Sequence, residues 1–463
     1  MVMGELKMET EVAIIGAGPG GYVAALRAAD LGKEVTLIDE RDRPGGVCLI
    51  EGCIPSKTLI HAVTLTEALK GGKKFGLTFE NLQINHNTLR EHTEEVVEGL
   101  TSSIKKLLIR RGVEIIKGRA SFVSDHEIQI KGSDVAGVTF QHAIIATGSR
   151  PKSIPGTEDL DLWDSAKALK LPTIPSSLIV VGGGYIGMEL GSVYAGLGSK
   201  VTLVHSRPNL IKSADDDLVR VMLKSTERRF EKIITDNRVA SITKESGLFK
   251  VLLKDGTELL GDNVFVSIGR KPNSDKIGLE NTSVEVSEDG LIKVDEQCRT
   301  TVPHIFAIGD VVPGPQLAHK ASREAKVAAE VIVGENSAFD NRAVPAVVFT
   351  DPEIAWVGLT EREAIENKEK VAIGRFPLKA LGRARTLGRE DGMVKIIYSP
   401  ESQLVLGVGI VSPDASDLIA EATLAIEMGA VLEDMMVTIH PHPTLSEAIQ
   451  EAAEVAAGTA VHI

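Results

Sequence analysis

The sequence predicts a mixed α/β protein, because one strand–glycine turn–helix–strand unit occurs twice and a differently patterned segment follows the second copy. The first unit covers residues 12–39, and the second repeats it at a constant offset of 166 residues, the distance along the chain from Gly16 to Gly182. From about residue 342 the pattern changes to longer apolar strands and amphipathic helices. Strands that alternate with helices indicate parallel sheets, and the changed pattern indicates a separate α+β domain.

Length, charge and cysteine content limit the possible functions. The 463 residues are enough for three or four domains of about 100–200 residues each. A net charge of −13 argues against nucleic acid or an anionic membrane as partner. No apolar run reaches the roughly 18 residues typical of a membrane span, and MVMGELKMETEVAIIG is unlike a signal or transit peptide. We therefore expect a cytoplasmic protein, in which a close cysteine pair indicates redox chemistry.

The first unit carries the glycine pattern of a dinucleotide-binding turn. Gly16, Gly18 and Gly21 form G-x-G-x-x-G between the strand VAIIG and the helix that follows. Such glycines permit a tight turn, close approach of backbone N–H groups to a pyrophosphate and close helix packing. Asp39 ends the next strand, where it can accept a hydrogen bond from an adenosine ribose hydroxyl. The alternative is a glycine-rich turn without a ligand.

The second unit has the same glycines but lacks the acid. Its turn is formed by Gly182, Gly184 and Gly187, and His205 stands at the position equivalent to Asp39. Because no carboxylate is present to bond a ribose 2′-hydroxyl and Arg207 is nearby, a 2′-phosphate can be accommodated, so NADP is an option beside NAD. The alternative is that His205 and Arg207 are solvated surface residues.

The segment GGVCLIEGCIPSK, residues 45–57, holds two of the three cysteines, Cys48 and Cys53. In a regular α-helix two residues five apart have Cα atoms roughly 8.5 Å apart, beyond the ~7 Å limit for a disulfide. A bridge between them therefore requires a distorted turn, for which Gly52 and Pro55 supply the backbone irregularity. The alternative is a pair of buried free thiols within a helix.

Two further strand ends carry candidate cofactor contacts. Thr147 and Gly148 follow an apolar run in AIIATGSRP, and Gly309 and Asp310 end the short strand in TTVPHIFAIGDV. An acid at the carboxyl end of a parallel strand is well placed to bond a cofactor polyol. The alternative for Asp310 is an N-cap of the helix predicted over 316–333.

The C-terminal domain contains a second candidate reactive cluster in IHPHPTLSEA, formed by His440, His442 and Glu447. Thr444 and Glu447 also have the spacing of a capping box, with Thr444 at the N-cap, so a structural function for Glu447 is an alternative. A histidine about 400 residues from the cysteines meets them only through folding or across a subunit interface. The spacing does not decide between these.

Together these motifs resemble the FAD-dependent pyridine nucleotide–disulfide oxidoreductases, from about Glu11 to the C-terminus. GGVCLIEGCIPSK resembles their redox disulfide, and LAHKASREA, ALGRARTLGREDG and HPHPTLSEA resemble the branch that oxidises dihydrolipoamide. The resemblance implies two Rossmann-like dinucleotide-binding domains, the second inserted in the first, and a C-terminal α+β dimerisation domain. The implied segments are 1–150 and 274–341 for FAD, 151–273 for NAD(P) and 342–463 for the interface.

The resemblance also implies an activity and partners. The activity is oxidation of protein-bound dihydrolipoamide with hydride transfer through FAD to NAD or NADP. The partners are a second copy of the chain and a lipoyl-bearing acyltransferase or carrier protein of a 2-oxo acid dehydrogenase or glycine cleavage complex. No metal is implied.

Residue functions carry over from the same resemblance. Cys53 would be the thiolate that faces the flavin, and Cys48 the thiol that exchanges with substrate. His442 would be the base and Glu447 the carboxylate that orients it, both acting on the cysteines of the other subunit, while Lys57 and Glu189 would pair beside the flavin. FAD contacts would be Gly16, Gly18, Gly21, Asp39 and Asp310, and nicotinamide nucleotide contacts Gly182, Gly184, Tyr185 and Gly187. Further cofactor contacts would be Gly46, Lys57, Thr147, Gly148, His205, Arg207, Gly269, Gly309 and Ala318.

The chain departs from the pattern of the dihydrolipoamide-oxidising branch at several positions. Val47 and Ile50 replace a threonine and an asparagine, and Tyr185 and His205 replace an aliphatic residue and an acid. The alternatives are a glutathione or mercuric reductase-like enzyme and a non-catalytic flavoprotein scaffold. The C-terminal GTAVHI lacks the vicinal cysteines of mercuric reductase, and the retained cysteines with His442 and Glu447 argue against a scaffold. Cys298 receives no function.

Overall fold

The structure, a computed structural model, describes residues 6–463. Residues 1–5, on which part of the leader-peptide prediction depends, lie outside the described residues. The chain divides into two compact units, each assembled from three segments. The first contains the chain up to Thr58 together with Asn85–Lys152 and Gly269–Asp340, and the second contains Leu59–Ile84, Ser153–Ile268 and Asn341–Ile463. The division into four functional segments stays a prediction.

Helices and strands alternate through most of the chain. The helices are α1 (Pro19–Asp30), α2 (Gly46–Glu51), α3 (Cys53–Lys70), α4 (His86–Arg110), α5 (Ser165–Leu169), α6 (Tyr185–Gly196), α7 (Asp216–Thr226), α8 (Ala318–Ile332), α9 (Glu361–Asn367), α10 (Gly382–Leu387), α11 (Ala415–Met428), α12 (Leu432–Val437) and α13 (Glu447–Ala457). The strands are β1 (Leu6–Ile15), β2 (Val35–Asp39), β3 (Glu114–Lys117), β4 (Arg119–Ser124), β5 (Glu127–Lys131), β6 (Val135–Ile145), β7 (Ser149–Pro151), β8 (Ser177–Val181), β9 (Lys200–Val204), β10 (Lys232–Ile234), β11 (Val239–Glu245), β12 (Leu248–Leu253), β13 (Glu258–Gly261), β14 (Asn263–Val266), β15 (Arg270–Pro272), β16 (Ile305–Ala307), β17 (Ala346–Val348), β18 (Glu353–Gly358), β19 (Ala372–Pro377), β20 (Met393–Tyr398) and β21 (Val405–Ser412).

The first unit is built on one sheet with the strand order β3-β2-β1-β6-β5-β4, to which β16 adds by pairing with β6. Four strand pairs of this sheet are parallel: β1 with β2, β1 with β6, β2 with β3, and β16 with β6. Strand β5 pairs antiparallel with both β4 and β6. The central strands are buried on both faces, which explains why residues 12–15 form a continuous apolar run. Helix α1 packs against α8 beside this sheet.

The second unit contains the repeated dinucleotide-binding pattern and the C-terminal domain. Its parallel sheet has the order β10-β9-β8-β14, with α6 as the crossover from β8 to β9. Val12 pairs with Val35 in the first unit and Leu178 pairs with Val201 in the second, so the two sheets share the 166-residue offset even in register. The predicted pair of Rossmann-like units is therefore confirmed.

The C-terminal part forms a five-stranded antiparallel sheet, β17-β18-β21-β20-β19. Helices α11 and α13 pack on this sheet and bury a core that includes Phe376, Ile410 and Ile449. The predicted α+β domain is confirmed. The helix predicted over 316–333 is α8, and the region predicted as helical over 58–111 contains α3 and α4 with a non-helical stretch over 76–85.

One helical segment among the described residues, Gly46–Phe75, is long and apolar enough to cross a membrane by length and composition alone. Core helices of soluble proteins pass the same test, so this finding is weak evidence. The segment is also interrupted at Gly52, whose backbone angles of −147° and −114° are not helical. It carries the cysteine pair.

Candidate active site

The two cysteines lie on either side of a break between two helices. Cys48 is in α2, α3 begins at Cys53, and Gly52 between them has the non-helical backbone noted above. A side chain at Gly52 would place its Cβ 2.7 Å from the carbonyl oxygen of Val47, so the close turn requires glycine. The distorted turn expected for a reactive pair is present, and an uninterrupted helix carrying two buried thiols is excluded.

The environment of the pair differs between its two sulfurs. Both residues are thiols in the structure; Cys48 is half-buried and Cys53 is exposed. A hydrogen bond with Cys53 is the largest cause that raises the pKa of the Cys48 thiol, and burial is the second. The positive charge of Lys57 lowers this pKa and so offsets part of the increase. The Cys48 thiol is therefore more difficult to deprotonate than a free thiol. Cys53 lies one helical turn from Lys57 in α3, and its assignment as the thiolate that faces the flavin stays a prediction.

The turn after β1 fits the pyrophosphate of a dinucleotide. Gly16 has a φ of +99°, and a Cβ there would lie 2.4 Å from the carbonyl oxygen of Ala146. A Cβ at Gly21 would lie 1.7 Å from the carbonyl oxygen of Gly16. Gly18 is the N-cap of α1 and has no side chain to satisfy the first backbone N–H groups, so these remain available to an anion.

The cysteine segment begins directly against this turn. Gly46, the first residue of α2, has a φ of +58°, and a Cβ there would lie 2.5 Å from the Cα of Gly18. The backbone of the redox helix and the backbone of the dinucleotide turn are therefore in close contact. This contact places the start of the cysteine helix beside the predicted pyrophosphate site.

Asp39 closes the same turn. One oxygen of its carboxylate accepts a hydrogen bond from the backbone N–H of Ala17 at 2.7 Å, and the other accepts from the backbone N–H of Arg41 at 2.8 Å. A carboxylate oxygen has two lone pairs, so each oxygen can still accept from a ribose hydroxyl. The ribose contact stays a prediction, whereas the closing of the turn is a function that the sequence did not predict.

Asp310 lies in a short 3₁₀ turn, Gly309–Val311, that follows β16. The N-cap of α8 is Leu317, so the alternative assignment of Asp310 as the cap of that helix is wrong. The carboxylate of Asp310 accepts a hydrogen bond from the hydroxyl of Ser149 at 2.5 Å, and that hydroxyl in turn accepts from Arg270 at 2.7 Å. Ser149 and Arg270 orient the acid, and neither was predicted from the sequence.

The predicted contacts around β7 and β15 lie on neighbouring loops. The hydroxyl of Thr147 donates to the carbonyl oxygen of Asn273 at 2.9 Å, and the Asn273 amide donates back to the carbonyl oxygen of Thr147 at 3.0 Å. Gly148 and Gly269 both have positive φ, +68° and +113°. Thr147 therefore uses its side chain within the protein. The predicted cofactor contacts of Thr147, Gly148, Gly269, Gly309 and Ala318 stay predictions.

The second dinucleotide turn repeats the first in detail. A Cβ at Gly182 would lie 2.2 Å from the carbonyl oxygen of Ser267, and a Cβ at Gly187 would lie 1.9 Å from the carbonyl oxygen of Gly182. Gly184 is the N-cap of α6 and again offers uncapped backbone N–H groups. The chain therefore has two turns that fit a pyrophosphate. Tyr185, at the first position of α6, is partly exposed.

His205 closes the second turn as Asp39 closes the first. The backbone N–H of Gly183 donates to Nδ1 of His205 at 3.1 Å. Burial lowers the pKa of His205, the backbone carbonyl of Asn209 acts in the opposite direction, and the charge of Arg207 lowers the pKa further. His205 is therefore neutral at neutral pH. Of the two residues in the surface alternative, His205 therefore has a structural contact within the turn, whereas Arg207 is exposed.

Glu189 is a buried acid of α6, and one of its carboxylate oxygens accepts a hydrogen bond from the backbone N–H of Phe349 at 2.9 Å. It ties α6 to the loop between β17 and β18 of the C-terminal sheet. Its predicted pairing with Lys57 stays a prediction.

His442 and Glu447 form the predicted pair in the C-terminal domain. Nδ1 of His442 lies 2.8 Å from one carboxylate oxygen of Glu447, and the other oxygen accepts from the backbone N–H of Thr444 at 2.8 Å. Burial alone would raise the pKa of Glu447, but the bonds from Thr444 and His442 hold that pKa below its usual range. The ionised Glu447 therefore holds the proton of His442 on Nδ1 and leaves Nε2 free to accept one.

The capping box predicted here is only half formed. Helix α13 begins at Glu447, with Ser446 as its N-cap, so Thr444 lies outside the helix. The hydroxyl of Thr444 donates to the carbonyl oxygen of Pro441 instead of accepting from the helix. The carboxylate half of the motif is present, so the N–H of Thr444 holds Glu447 by one oxygen while the other contacts His442.

His440 does not share the environment of His442. The side chain of His440 is 5% exposed and that of His442 is 78% exposed. Nε2 of His440 bonds Glu421 at 2.8 Å, and Nδ1 bonds the carbonyl oxygen of Thr438 at 3.0 Å. Both nitrogens of His440 are therefore engaged, and the accessible imidazole of this cluster is His442.

Comparisons with known proteins agree with this arrangement. Residues 10–325 match the family model described as pyridine nucleotide-disulphide oxidoreductase, and residues 344–453 match the dimerisation domain of the same family. The dihydrolipoyl dehydrogenase of Geobacillus stearothermophilus is 45% identical over 100% of this chain and 99% of the relative. The dihydrolipoyl dehydrogenase of Bacillus subtilis is 42% identical over 100% of both.

Two solved structures have a fold similar to that of this chain over almost its whole length. LpdA of Mycobacterium tuberculosis has 29% sequence identity and a TM-score of 0.89, covering 96% of this chain and 99% of the other. The HOCl-induced flavoprotein disulfide reductase RclA of Escherichia coli has 26% identity and a TM-score of 0.86 over the same shares.

Proposed function

Because this chain belongs to the pyridine nucleotide-disulphide oxidoreductase family, we propose that it oxidises protein-bound dihydrolipoamide through Cys48 and Cys53. The chain is an oxidoreductase of a family that uses FAD and NAD(P). The observation that carries the proposal is the cysteine pair at the Gly52 break, in a helix whose first residue contacts the dinucleotide turn at Gly18. The relatives at 41–45% identity are named dihydrolipoyl dehydrogenase, which favours this substrate over that of other disulfide reductases.

The reaction begins with removal of a proton from the substrate. A thiolate is the nucleophile in disulfide exchange, and an unperturbed thiol has a pKa of about 8.5, so a base is needed near neutral pH. His442 can accept the proton at Nε2, because Glu447 holds the other proton of the ring on Nδ1. His442 is the base and Glu447 is its positioning residue.

Exchange then follows at the oxidised cysteine pair. The substrate thiolate attacks the sulfur of Cys48, which forms a mixed disulfide and releases Cys53 as a thiolate near Lys57. The second substrate thiol attacks the substrate sulfur bound to Cys48, closes the lipoamide ring and leaves Cys48 and Cys53 reduced. The substrate loses two electrons and the cysteine pair gains them. FAD, held by the residues of the first glycine turn, would supply a two-electron acceptor for the reduced cysteine pair and a hydride donor for the nicotinamide.

The residues that hold the cofactors are those of the two turns. Gly16, Gly18 and Gly21 leave room and backbone N–H groups for the pyrophosphate of FAD, with Asp39 and Asp310 placed for its hydroxyls. Gly182, Gly184 and Gly187 do the same for the nicotinamide nucleotide, beside Tyr185.

The chain forms a homodimer through its dimerisation domain, residues 344–453. His442 is 78% exposed on its own chain and lies in this domain. That exposure supports a site in which each His442 serves the cysteines of the other subunit. A lipoyl-bearing acyltransferase or carrier protein of a multienzyme complex, in the cytoplasm, would deliver the dihydrolipoamide.

The first test is Cys53→Ser. We expect the purified variant to remain yellow with bound FAD and to lose dihydrolipoamide oxidation, measured as reduction of NAD or NADP. Undiminished turnover by this variant would overturn the proposed mechanism.

The shared site has its own test. We expect His442→Ala and Cys48→Ser proteins each to be inactive alone. Mixed refolding should restore part of the activity because a hybrid dimer contains one intact site. A mixture that regains no activity would show that the two residues do not act across the dimer.

A further inference from the structure

We infer that the second dinucleotide turn selects a nucleotide that carries a 2′-phosphate, with Arg207 as the phosphate ligand and His205 as the residue that makes this possible. The inference rests on the proposed function only in that a nicotinamide nucleotide occupies this turn. It goes further by assigning the chemical class of that nucleotide, NADP(H).

His205 and Asp39 occupy equivalent positions in the two units, although one is an imidazole and the other a carboxylate. The N–H of Ala17 bonds Asp39 at 2.7 Å, and the N–H of Gly183, 166 residues later, bonds His205 at 3.1 Å. Asp39 is the last residue of β2 and His205 directly follows β9, and each supplies the acceptor that closes its glycine turn. His205 therefore takes over the structural function of the acid.

His205 supplies neither a free hydrogen-bond acceptor nor a negative charge to a bound ribose. Its Nδ1 is occupied as an acceptor for Gly183, so in the neutral ring the proton is on Nε2, which can only donate. The carbonyl of Asn209 lies against the ring as well. The ring therefore has neither a free acceptor for a ribose 2′-hydroxyl nor a negative charge that would repel a 2′-phosphate. A carboxylate such as Asp39 has both.

Arg207 is the cation near His205, and its guanidinium is available to a ligand. Arg207 is exposed, and its backbone position is fixed because Asp236 N donates to the Arg207 carbonyl at 3.0 Å and Asn237 N donates to the His205 carbonyl at 3.1 Å. In the first unit the equivalent Arg41 forms an ion pair with Glu51. No acid within residues 6–463 pairs with Arg207 in this way.

The replacement of the acid by His205 and the absence of an acidic partner for Arg207 among the described residues both favour binding of a 2′-phosphate. A phosphate monoester carries a charge between −1.5 and −2 near neutral pH, by its second pKa of about 6. The guanidinium of Arg207 can bind two of its oxygens with a planar pair of donors. The first unit, with Asp39 and a neutralised Arg41, lacks these conditions, so only the second turn is suited to a 2′-phosphate.

The test measures binding of adenosine fragments to the FAD-loaded dimer by isothermal titration calorimetry. We expect 2′,5′-ADP to bind at least about tenfold more tightly than 5′-AMP, the factor expected for one charge-assisted hydrogen bond. Arg207→Ala should weaken 2′,5′-ADP binding by about tenfold or more and leave 5′-AMP nearly unchanged. Arg220→Ala, which removes another exposed arginine of the same unit, should change neither.

His205→Glu should reverse the preference, because the carboxylate would accept from the 2′-hydroxyl and repel the phosphate. Equal or tighter binding of 5′-AMP by the unsubstituted protein would overturn the inference, as would unchanged 2′,5′-ADP binding in Arg207→Ala. These two outcomes do not depend on whether His205→Glu folds.

Turnover separates this inference from the proposed function. If NADP and NAD both fail to support dihydrolipoamide oxidation while the 2′,5′-ADP preference persists, the proposed substrate is wrong and the phosphate site stands. If NAD alone supports turnover and 5′-AMP binds more tightly, the substrate stands and the phosphate site is wrong.

Discussion

Replacing Glu447 with glutamine tests whether this carboxylate controls the proton on His442. Glu447 accepts two bonds, one from His442 Nδ1 and one from the backbone N–H of Thr444, both at 2.8 Å. A glutamine has one oxygen and one NH₂ group. Because Thr444 requires an acceptor, the oxygen turns toward Thr444 and the NH₂ group faces His442. Nδ1 must then accept, and the ring proton moves to Nε2, where it prevents His442 from acting as a base.

The expected loss follows from the contribution of a general base. Positioned acid–base groups typically contribute about 10²–10⁴-fold to a rate, and each factor of ten is about 1.36 kcal/mol. The His442 side chain is 78% exposed on its own chain, so the ring can partly reorient. We therefore expect kcat for dihydrolipoamide to fall by about 10²–10³-fold, or roughly 3–4 kcal/mol in barrier height.

The assay compares two reactions of the same preparation. Dihydrolipoamide oxidation requires the base, whereas reduction of an artificial electron acceptor by the reduced nicotinamide does not, so only the first should fall. Glu421→Gln is the matched control, since it changes the same kind of 2.8 Å contact at the buried His440. A loss below about threefold in Glu447→Gln, or an equal loss in Glu421→Gln, would refute this account of the tautomer.

Three further predictions concern stability and cofactor retention. Lys395 is fully buried, and its Nζ lies 2.8 Å from a carboxylate oxygen of Asp217 in a cluster of three acids. Lys395→Met should therefore lower the free energy of unfolding, measured by denaturant titration, by about 3–5 kcal/mol. A change below about 1 kcal/mol would contradict this. Gly46→Ala should reduce the flavin-to-protein absorbance ratio, because the new Cβ would lie 2.5 Å from the Cα of Gly18; full flavin occupancy would be inconsistent with that contact. Arg150 holds the pKa of Asp275 well below its usual range. The ion pair therefore stabilises the fold fully above the pKa of about 3.9 that Asp275 has in the unfolded chain. This stabilisation is lost as the pH falls toward the lower pKa that Asp275 has in the folded protein. The stability difference between the protein and Asp275→Asn should accordingly shrink in acid, and a constant difference from about pH 7 to pH 3 would exclude this linkage.

The sequence predicted those parts of the fold that depend on short segments. The two glycine turns were identified with their strands and helices because each turn is specified within about 30 residues, and the shared register of β1 with β2 and of β8 with β9 follows from that pattern. The cysteine turn was also predictable, since a disulfide between residues five apart is incompatible with a regular helix and Gly52 offers the required freedom.

Contacts between distant segments could not be predicted in the same way. Ser149 and Arg270 are separated by 121 residues, and they meet only because β7 and β15 pair antiparallel. Lys395 lies in an apolar strand, where a lysine is not expected to be fully buried. It is buried because three acids from other elements converge on it, and no local pattern contains that information.

The two dinucleotide turns show why the residue at the end of the second strand is difficult to interpret from sequence. That residue accepts a hydrogen bond from the glycine turn, and by our inference it also determines which ribose substituent is bound. An aspartate performs both, so the presence of an acid does not show which task retains it. His205 performs the first task with a neutral nitrogen, which explains how the turn keeps its geometry after the acid is lost. Because the geometry is kept, the change at this position alters only the chemistry presented to the ribose, and nucleotide choice can change without a change in the fold.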